Sequence, residues 1–280
     1  RSSPVTGVQT CALPIFMTLS INSMGSEVLE LQSKLNKLNY RVSESGRYDD
    51  STELQVKKFQ SDNGLVSDGI AGPKTFEAID NKILLGDLLL TESDYINAAN
   101  SLGVEVAVVK AFSEVESQGC GFFTPDKPAI LFEAHIFYSQ LKSHGLDANK
   151  YLSSNPNIVS KSWNRKLYYG GIKEYDRLNE AIRINEDSAY NSISIGKFQI
   201  MGNNHKICGY SSAKQMFDEF CKGESIQLDG FVSFIKNNTS LYKALKVKDW
   251  NKAAYYYNGK SYEQNDYHTK LATAYKKYKK

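Results

Sequence analysis

The chain has 280 residues, 41% of them hydrophobic, and a formal net charge of +3. This composition suits two globular domains and excludes a disordered chain or one built for nucleic-acid binding. No apolar run is long enough to span a membrane, and the apolar stretch at 83–90 is interrupted by Gly86 and Asp87. The four cysteines lack the paired spacing of zinc or redox sites, so we expect unpaired, largely buried thiols.

The first 16 residues, RSSPVTGVQTCALPIF, precede Met17 and show neither a helical nor a strand period. We interpret residues 1–16 as a leader foreign to the fold, of the kind translated from cloning or adapter DNA. A signal peptide is the alternative, but its apolar part, residues 12–16, is short and contains Pro14. With Met17 as the start, the chain would carry no export signal.

Three helices are predicted in a first domain at residues 17–80. Apolar residues at steps of three and four give the first helix a single buried stripe, formed by Val28, Leu31, Leu35 and Leu38. The second helix runs from Asp50 to the pair Asn63 and Gly64, which is a left-handed C-cap signal. A third, short helix begins near Pro73, which suits a first helical turn.

The segments GSEVLELQSKLNKLNY and VKKFQSDNGLVSDGIAGPKTFEAI contain an LQ pair, an FQ pair and then GL, DG and G-x-x-T. In this order they resemble the peptidoglycan-binding domain found at the ends of many wall hydrolases. The resemblance covers the whole domain and implies a three-helix wall-binding fold. We expect Leu31 and Phe59 in its core, with Gln32 and Gln60 hydrogen-bonded to the backbone.

The segment SESGRYDDST departs from that family, which usually has a tighter D-G-x-F-G turn at this place. The departure leaves the ligand contacts of the loop open. Wall contacts are expected at exposed loop residues, with Arg47 and Asp68 as candidates.

Residues 81–90 are predicted to form a linker, and the second domain occupies residues 91–280. The TESD run at residues 91–94 resembles a capping box and predicts a helix through Leu102. From Val104 onwards, one line of apolar residues follows the i, i+3, i+4, i+7 pattern and a second line lies opposite. This next helix is therefore expected to run through the domain interior.

Two acids end this helix, and their spacing separates their roles. Glu114 follows Lys110 by four residues, so we expect a solvent-facing ion pair. Glu116 has no such partner and lies in the last turn before Gly119, where the helix dipole and apolar surroundings both raise the pKa of a carboxyl group. A carboxylic acid kept protonated near neutral pH can donate a proton to a leaving oxygen. Spacing alone also fits a surface glutamate.

Three separated segments follow one another in the second domain: ES at Glu116, the GKFQIM run with Gly196 and Gln199, and the YNG run with Tyr257 and Asn258. They resemble the signatures of goose-type lysozymes and soluble lytic transglycosylases. The resemblance implies, in that order, the catalytic acid, a turn that lines the substrate, and the Y-N motif of a later helix. The two amides would bind acetamido groups of the substrate or tie backbone turns together, with the tyrosine packed beneath them.

The segments KAFSEVESQGCGF, PAILFEAHIFY, SISIGKFQIMG and YNGKSYEQNDYHTKLATAYKKY together resemble the N-acetylmuramidase domain of modular phage endolysins, over essentially all of residues 91–280. This resemblance implies a mainly α chain whose second domain is lysozyme-like, α+β, with a small β-rich segment. It implies cleavage of the β-1,4 bond between N-acetylmuramic acid and N-acetylglucosamine. We expect a monomer made in the host cytoplasm without a signal peptide, which acts on bacterial peptidoglycan after release. No cofactor, metal or nucleic-acid partner is expected, because no nucleotide loop or metal-ligand cluster competes.

The β-rich run AILFEAH follows the helix of Glu116 and contains Glu133, the best second carboxylate. Glu133 would activate water or stabilise the transition state electrostatically. The alternative is a buried, paired glutamate that holds the catalytic loop. His135 is expected to be a hydrogen-bonded structural residue.

Two other functions stay open at this point. A lytic transglycosylase would close an anhydro ring with the hydroxyl of the muramic acid itself, which gives a product one water lighter. A wall-binding phage structural protein with an inactive domain is the other alternative, and intact Glu116, Gln199 and Asn258 argue against it.

Overall fold

The structure is a computed structural model that describes residues 18–116, 119–260 and 262–279. The predicted leader at residues 1–16 and Ser117 of the first signature lie outside the described residues. The chain divides into two compact units, the first ending at Gly86 and the second beginning at Asp87.

From residue 18 onwards, the helices of the first unit are α1 (Ser26–Lys37), α2 (Asp50–Asp62) and α3 (Pro73–Asp87). The side chain of Asp49 caps α2 by accepting from the backbone N–H of Thr52 at 2.9 Å. Two predictions are wrong at the end of the unit: α3 is 15 residues long rather than short, and much of the expected linker at 81–90 is helical. The physical reason is Ile83, which packs against the core of the unit and extends the apolar side of the helix.

The predicted roles of the paired signature residues in the first unit are confirmed. Leu31 and Phe59 are fully buried in its core. Gln32 and Gln60 are buried too, and each side-chain amide donates to a backbone carbonyl, at 2.9 and 3.0 Å. Each amide oxygen also accepts from a backbone N–H at 2.9 Å. These glutamines therefore hold loops in place.

The second unit is mainly helical, as predicted. Its helices are α4 (Glu92–Leu102), α5 (Val106–Glu116), α6 (Ala134–Ser143), α7 (Tyr151–Ser154), α8 (Glu174–Ile184), α9 (Glu186–Asn191), α10 (Ala213–Phe220), α11 (Glu224–Asn237), α12 (Thr239–Lys246), α13 (Trp250–Asn258) and α14 (Tyr267–Tyr278). Helix α5 packs against α4 on one side and α14 on the other, which places it inside the unit. Among the described residues, no helix is both long and apolar enough to cross a bilayer.

The capping box predicted for α4 is confirmed. Thr91 accepts from the backbone of Asp94 through its hydroxyl, and the Asp94 carboxylate accepts from the backbone N–H of Thr91 at 2.8 Å. Helix α5 begins at Val106 rather than Val104, because Gly103 ends α4 in a left-handed conformation and Val104 still bonds back to that helix.

The strands in the described part of the second unit are short: β1 (Phe122–Thr124), β2 (Lys127–Pro128), β3 (Ile130–Phe132), β4 (Ile193–Ile195) and β5 (Ile200–Met201). The predicted β-rich run at 129–135 contains β3. Strands β1 and β2 make a hairpin, and β3, β4 and β5 form an antiparallel sheet in that order. In this sheet Ile130 faces Ile195 and Phe132 faces Ile193. The register places Glu133 at one end of β4 and the 196–199 turn at the other.

The cysteines only partly match the expectation of buried thiols. The three cysteines in the described part of the chain are free. Cys208 is buried, whereas Cys120 and Cys221 are half-buried. The reason is position, since Cys120 precedes the β1–β2 hairpin and Cys221 follows the end of α10.

Candidate active site

Glu116 is the last residue of α5 and meets the start of α14. The hydroxyl of Tyr267 donates to its carboxyl oxygen Oε1. Burial raises the pKa of Glu116 to about 7, and this hydrogen bond acts in the opposite direction. A carboxyl group with such a pKa is partly protonated at neutral pH, so it can serve as a proton donor.

A cluster of aromatic rings lies next to the buried Glu116 carboxyl and includes Tyr267, whose hydroxyl bonds to it. The ring of Tyr267 stacks on that of Tyr257, with centroids 6.3 Å apart and planes at 15°. Phe112 meets both rings edge-on, at 5.3 and 6.5 Å. The hydroxyl of Tyr257 donates to the backbone carbonyl of Phe198 at 2.7 Å. Tyr257 is thus a packing residue that ties α13 to the 196–199 turn.

Glu114 has the opposite environment, although it lies only two residues earlier. Its carboxylate accepts from Lys277 at 2.6 Å and from the hydroxyl of Tyr278 at 2.5 Å. These two hydrogen bonds, Lys277 first, lower the pKa of Glu114. A carboxylate that stays ionised cannot act as the acid, so the geometry favours Glu116.

The predicted ion pair between Lys110 and Glu114 is wrong. Lys110 instead pairs with Glu92 at 2.6 Å. The packing of neighbouring helices decides these pairs, because α4 brings Glu92 to one side of α5 and α14 brings Lys277 to the other.

Glu133 directly follows β3 and precedes α6. Its Oε2 accepts from the hydroxyl of Tyr168 at 2.7 Å and lies 3.3 Å from Nδ1 of His135. Only 15% of the Glu133 side chain is exposed. The carboxylate is therefore held by two neighbours, which is compatible with both a catalytic and a structural role.

The 196–199 turn is held by its own side chains. Gln199 has a positive φ of 45°, and its amide donates to the carbonyl of Gly196 at 2.8 Å and accepts from the hydroxyl of Ser194 at 2.7 Å. A Cβ on Gly196 would lie 2.5 Å from the side chain of Gln227. In this arrangement Gln199 fixes the turn, and Gly196 permits the close approach of α11.

An open cleft of about 790 Å³ lies next to these elements. Its lining residues are Leu131, His135, Trp163, Arg165, Tyr168, Asn258 and Asn265. Of the predicted substrate-binding residues, the exposed Asn258 lines the cleft itself. Glu133 contacts two of the lining residues. Glu116 is not among the lining residues; burial and then the charge of Glu116 raise the pKa of Tyr257, the residue that precedes Asn258.

Sequence reasoning missed Trp163, Arg165 and Tyr168. They belong to an irregular segment with 3₁₀ turns at 165–167 and 171–173, which has no helical or strand period. The available signal was compositional: WNRKLYYGG concentrates aromatic and basic side chains in a stretch with no acid.

A buried ion pair holds this segment against β3. Arg177 and Glu174, both fully buried, are joined at 2.7 Å.

The two side chains of this pair also bond to the backbone around them. Glu174 accepts from the backbone N–H groups of Phe132 at 3.1 Å and Tyr169 at 2.7 Å. Arg177 donates to the carbonyls of Phe132 and Asn157. Because every polar atom of the pair has a partner, the pair fixes the strand that precedes Glu133 and the loop that carries Tyr168.

Helix α11 holds the segment that follows Glu116. The carboxylate of Glu224 accepts from the backbone N–H of Gly121 at 2.5 Å and that of Leu90 at 3.0 Å. The amide oxygen of Gln227 accepts from the N–H of Lys197 at 2.6 Å. Two buried side chains of one helix thus position both the loop after the acid and the 196–199 turn.

The first unit has a groove of its own, about 550 Å³ in volume, between the end of α2 and the start of α3. Asp68 and Lys74 lie along it, with the exposed apolar residues Val66 and Ile70. Asp68 accepts from the amide of Gln60 at 2.9 Å and from the N–H of Ile70 at 2.8 Å. Arg47, the other residue expected to contact the wall, is not among the residues that line this groove.

Comparisons with known proteins agree with this division of the chain. Residues 105–279 match the N-acetylmuramidase family, and residues 24–79 match the peptidoglycan binding domain. Among solved structures, the chain is similar to the crystal structure of the endolysin of Burkholderia AP3 phage, with 37% sequence identity and a TM-score of 0.63. That alignment covers 94% of this chain and 99% of the other. A comparison with curated proteins gave no match.

Proposed function

The chain belongs to the N-acetylmuramidase family, and from that premise we propose that it cleaves the β-1,4 bond between N-acetylmuramic acid and N-acetylglucosamine as a phage endolysin, with Glu116 as the acid. It is a lysozyme-type glycoside hydrolase, and its substrate is peptidoglycan. The observation that carries the catalytic assignment is the desolvated Glu116 carboxyl, whose pKa burial raises to about 7.

The reaction needs a proton at the oxygen that leaves the anomeric carbon. Protonated Glu116 donates it while the bond between that carbon and the oxygen breaks, and the bonding electron pair stays with the leaving oxygen. Water then adds to the anomeric carbon and gives up a proton to a carboxylate. Burial of the carboxyl favours the protonated starting state, because ionisation away from water is disfavoured, while the hydroxyl of Tyr267 acts in the opposite direction.

Glu133 is our candidate for the second carboxylate. Its contacts with Tyr168 and His135, which both line the cleft, support this assignment, because the substrate would lie in that cleft. In that position it would orient water or offset positive charge at the anomeric carbon. The structural alternative, in which Glu133 only holds Tyr168 in place, is kept as the competing hypothesis.

The other predicted substrate-binding residues divide into two roles. Asn258 has an exposed amide in the cleft and suits a hydrogen bond to an acetamido group. The other three hold the backbone in place. Gln199 bonds within its own turn, Gly196 permits the close approach of α11, and Tyr257 ties α13 to the 196–199 turn.

The first unit supplies attachment to the wall. Its groove at Asp68 is the proposed contact, and attachment raises the effective concentration of the second unit at the peptidoglycan surface. Removing residues 17–86, up to the end of the first unit, should slow the clearing of intact sacculi and leave cleavage of soluble fragments unchanged. Equal rates on sacculi with and without residues 17–86 would contradict wall binding by this unit.

A single experiment tests the catalytic proposal. Purified peptidoglycan is digested with the full chain, and the fragments are analysed by mass spectrometry. We expect reducing muramic acid ends at the mass of hydrolysis. Fragments one water lighter would instead identify a lytic transglycosylase, and intact glycan strands would identify an inactive wall-binding protein.

We propose that the protein works as a monomer, is made in the host cytoplasm and acts on the wall after release. The similarity to a phage endolysin supports this order of events. Size-exclusion chromatography with light scattering would test the monomer directly.

A further inference from the structure

We propose that Trp163 and Arg165 form a recognition site for the muramyl residue, in which the indole ring stacks on a sugar face and the guanidinium binds a carboxylate attached to that residue. The inference rests on the proposed function, since it names what this cleft recognises in peptidoglycan. The carboxylate has two possible sources, the stem peptide or the lactyl group of a muramic acid without peptide.

The exposure of Trp163 is the first observation. Sixty percent of this residue is exposed, although it is a large aromatic side chain, and it lines the cleft that also contains Asn258. Its ring lies 6.4 Å from that of Tyr168, so two aromatic side chains form one wall. Aromatic faces pack on the apolar faces of pyranose rings, whose hydroxyls stay free for hydrogen bonds.

The charge of the same wall is the second observation. Arg165 lines the cleft and is exposed, and its guanidinium makes no hydrogen bond or ion pair with any described residue. The segment 151–173 contains no acid, and its cations are Lys161, Arg165, Lys166 and Lys173. The nearby carboxylate of Glu133 already accepts from Tyr168 and faces His135. The planar fork of an arginine guanidinium suits the two oxygens of a carboxylate better than it suits the uncharged groups of a neutral glycan.

The rigidity of the wall is the third observation. Asn164 caps the 3₁₀ turn of Arg165 by accepting from the backbone N–H of Lys166 at 3.0 Å. The backbone N–H of Gly170 donates to the buried Glu174 at 2.9 Å. A wall held by buried partners binds without a large loss of loop entropy, which favours a preformed site over an accidental exposure.

The test measures binding by the full-length chain carrying Glu116→Gln, so that the ligand is not consumed. The chain has two tryptophans, Trp163 and Trp250, and both lie in the second unit. Tryptophan fluorescence, excited at a wavelength that tyrosine does not absorb, therefore reports this unit and not the wall-binding unit. Three ligands are titrated: disaccharide-peptide oligomers, glycan strands stripped of peptide by an amidase, and neutral N-acetylglucosamine oligomers.

Arg165→Gln should weaken binding of a carboxylate-bearing ligand by about tenfold or more and leave the neutral oligomers unchanged, because only the charged partner is lost. The ligand that loses affinity identifies the source of the carboxylate. Lys173→Gln is the matched control, since it removes an exposed charge from the same segment away from the cleft, and it should change binding little.

Trp163→Phe should abolish most of the fluorescence change while Trp250 remains as an internal reference. In the catalytically competent chain, Trp163→Ala should raise KM far more than it lowers kcat, and Trp163→Phe should restore much of the KM.

Unchanged affinity for both acidic ligands in Arg165→Gln would overturn the inference, as would equal losses for acidic and neutral ligands. The proposed function is judged separately: a wild-type chain that binds the oligomers through Trp163 but cleaves nothing would remove the catalytic assignment and leave this site standing. If the wild-type chain cleaves normally and Arg165→Gln is indistinguishable from it, the catalytic assignment would stand and this recognition site would be removed.

Discussion

The signature residues of the two units are used in different ways. In the first unit, Gln32 and Gln60 are buried, and both ends of each amide bond to the backbone of a loop. In the second unit, Gln199 plays the same part for its own turn, whereas Asn258 faces an open cleft and Glu116 ends a helix next to a cluster of aromatic rings. The difference teaches that a residue shared with a family signature can serve to hold a loop in place, as these three glutamines do.

The largest expected effect is that of Glu116→Gln. We expect a loss of roughly two to four powers of ten in turnover, because the amide keeps the shape of the side chain but cannot donate an acidic proton. The measurement is fragment release from purified peptidoglycan. Glu114→Gln is the matched control, and it should keep most of the activity because its carboxylate serves an exposed ion pair with Lys277. Swapped outcomes would mean that the acid on α5 is Glu114.

The same variant should not lose stability. Burial raises the pKa of Glu116 from 4.5 to about 7, so folding favours its protonated form and the ionised form destabilises the fold as the pH rises through this window. The amide does not ionise. Melting curves at pH 8 should therefore show Glu116→Gln to be at least as stable as the wild type, and a clear drop in Tm would contradict the desolvation of this site.

Glu133→Gln distinguishes the two roles left open for the second carboxylate. A catalytic Glu133 predicts a fall in turnover of about two to four powers of ten with nearly unchanged thermal stability. A structural Glu133 predicts a loss of about 3 to 5 kcal/mol in the free energy of unfolding, with normal activity per folded molecule. Melting and turnover are measured on one preparation, and Tyr168→Phe, which removes the hydroxyl bonded to Glu133 at 2.7 Å, shows how far that contact contributes.

Gln60→Ala should affect stability and not chemistry. The substitution leaves the backbone N–H of Gly69 without its partner and removes one of the donors to the carbonyl of Ile70, which costs about 1 to 3 kcal/mol. Hydrogen exchange of the amides in α1 to α3 would show the loss, while cleavage of soluble fragments should not change. Gln55→Ala on the same helix is the control, because its half-buried side chain makes no hydrogen bond with the described residues. Slower cleavage of soluble fragments by Gln60→Ala would break the contrast between the units.

Tyr267→Phe should have the smallest effect, a shift of the pH profile. The hydroxyl of Tyr267 favours the ionised form of Glu116, so its removal raises the pKa of that carboxyl. Activity that depends on the protonated acid falls as the pH rises through this pKa, so the alkaline limb should move to higher pH. Tyr278→Phe removes the matching hydroxyl from Glu114 and should leave the profile in place. A limb that does not move would exclude Tyr267 as the residue that tunes the acid.

Much of the fold was predictable from local sequence. The stripes of α1 and α5, the cap at Thr91 and the turn signals at Asn63 and Gly64 all depend on residues a few positions apart. Each of these patterns predicts its local structure directly, because the residues that interact lie within a few positions of one another. Where a tertiary contact extended a helix, as Ile83 does for α3, the predicted boundary was wrong.

The sequence by itself determined the order of the elements and the family resemblance of both domains, and it gave the prediction, still to be tested, that Glu116 is the acid. Only the tertiary structure decided that Lys277 rather than Lys110 pairs with Glu114, that Gln199 bonds within its own turn, and that Trp163 and Arg165 form a wall of the cleft. The physical reason is how far apart in the sequence the interacting residues lie. A helix period or a cap is an interaction over three or four residues, whereas an ion-pair partner or a cleft wall depends on which distant segments pack together, and an irregular loop carries no periodic signal of where it will lie.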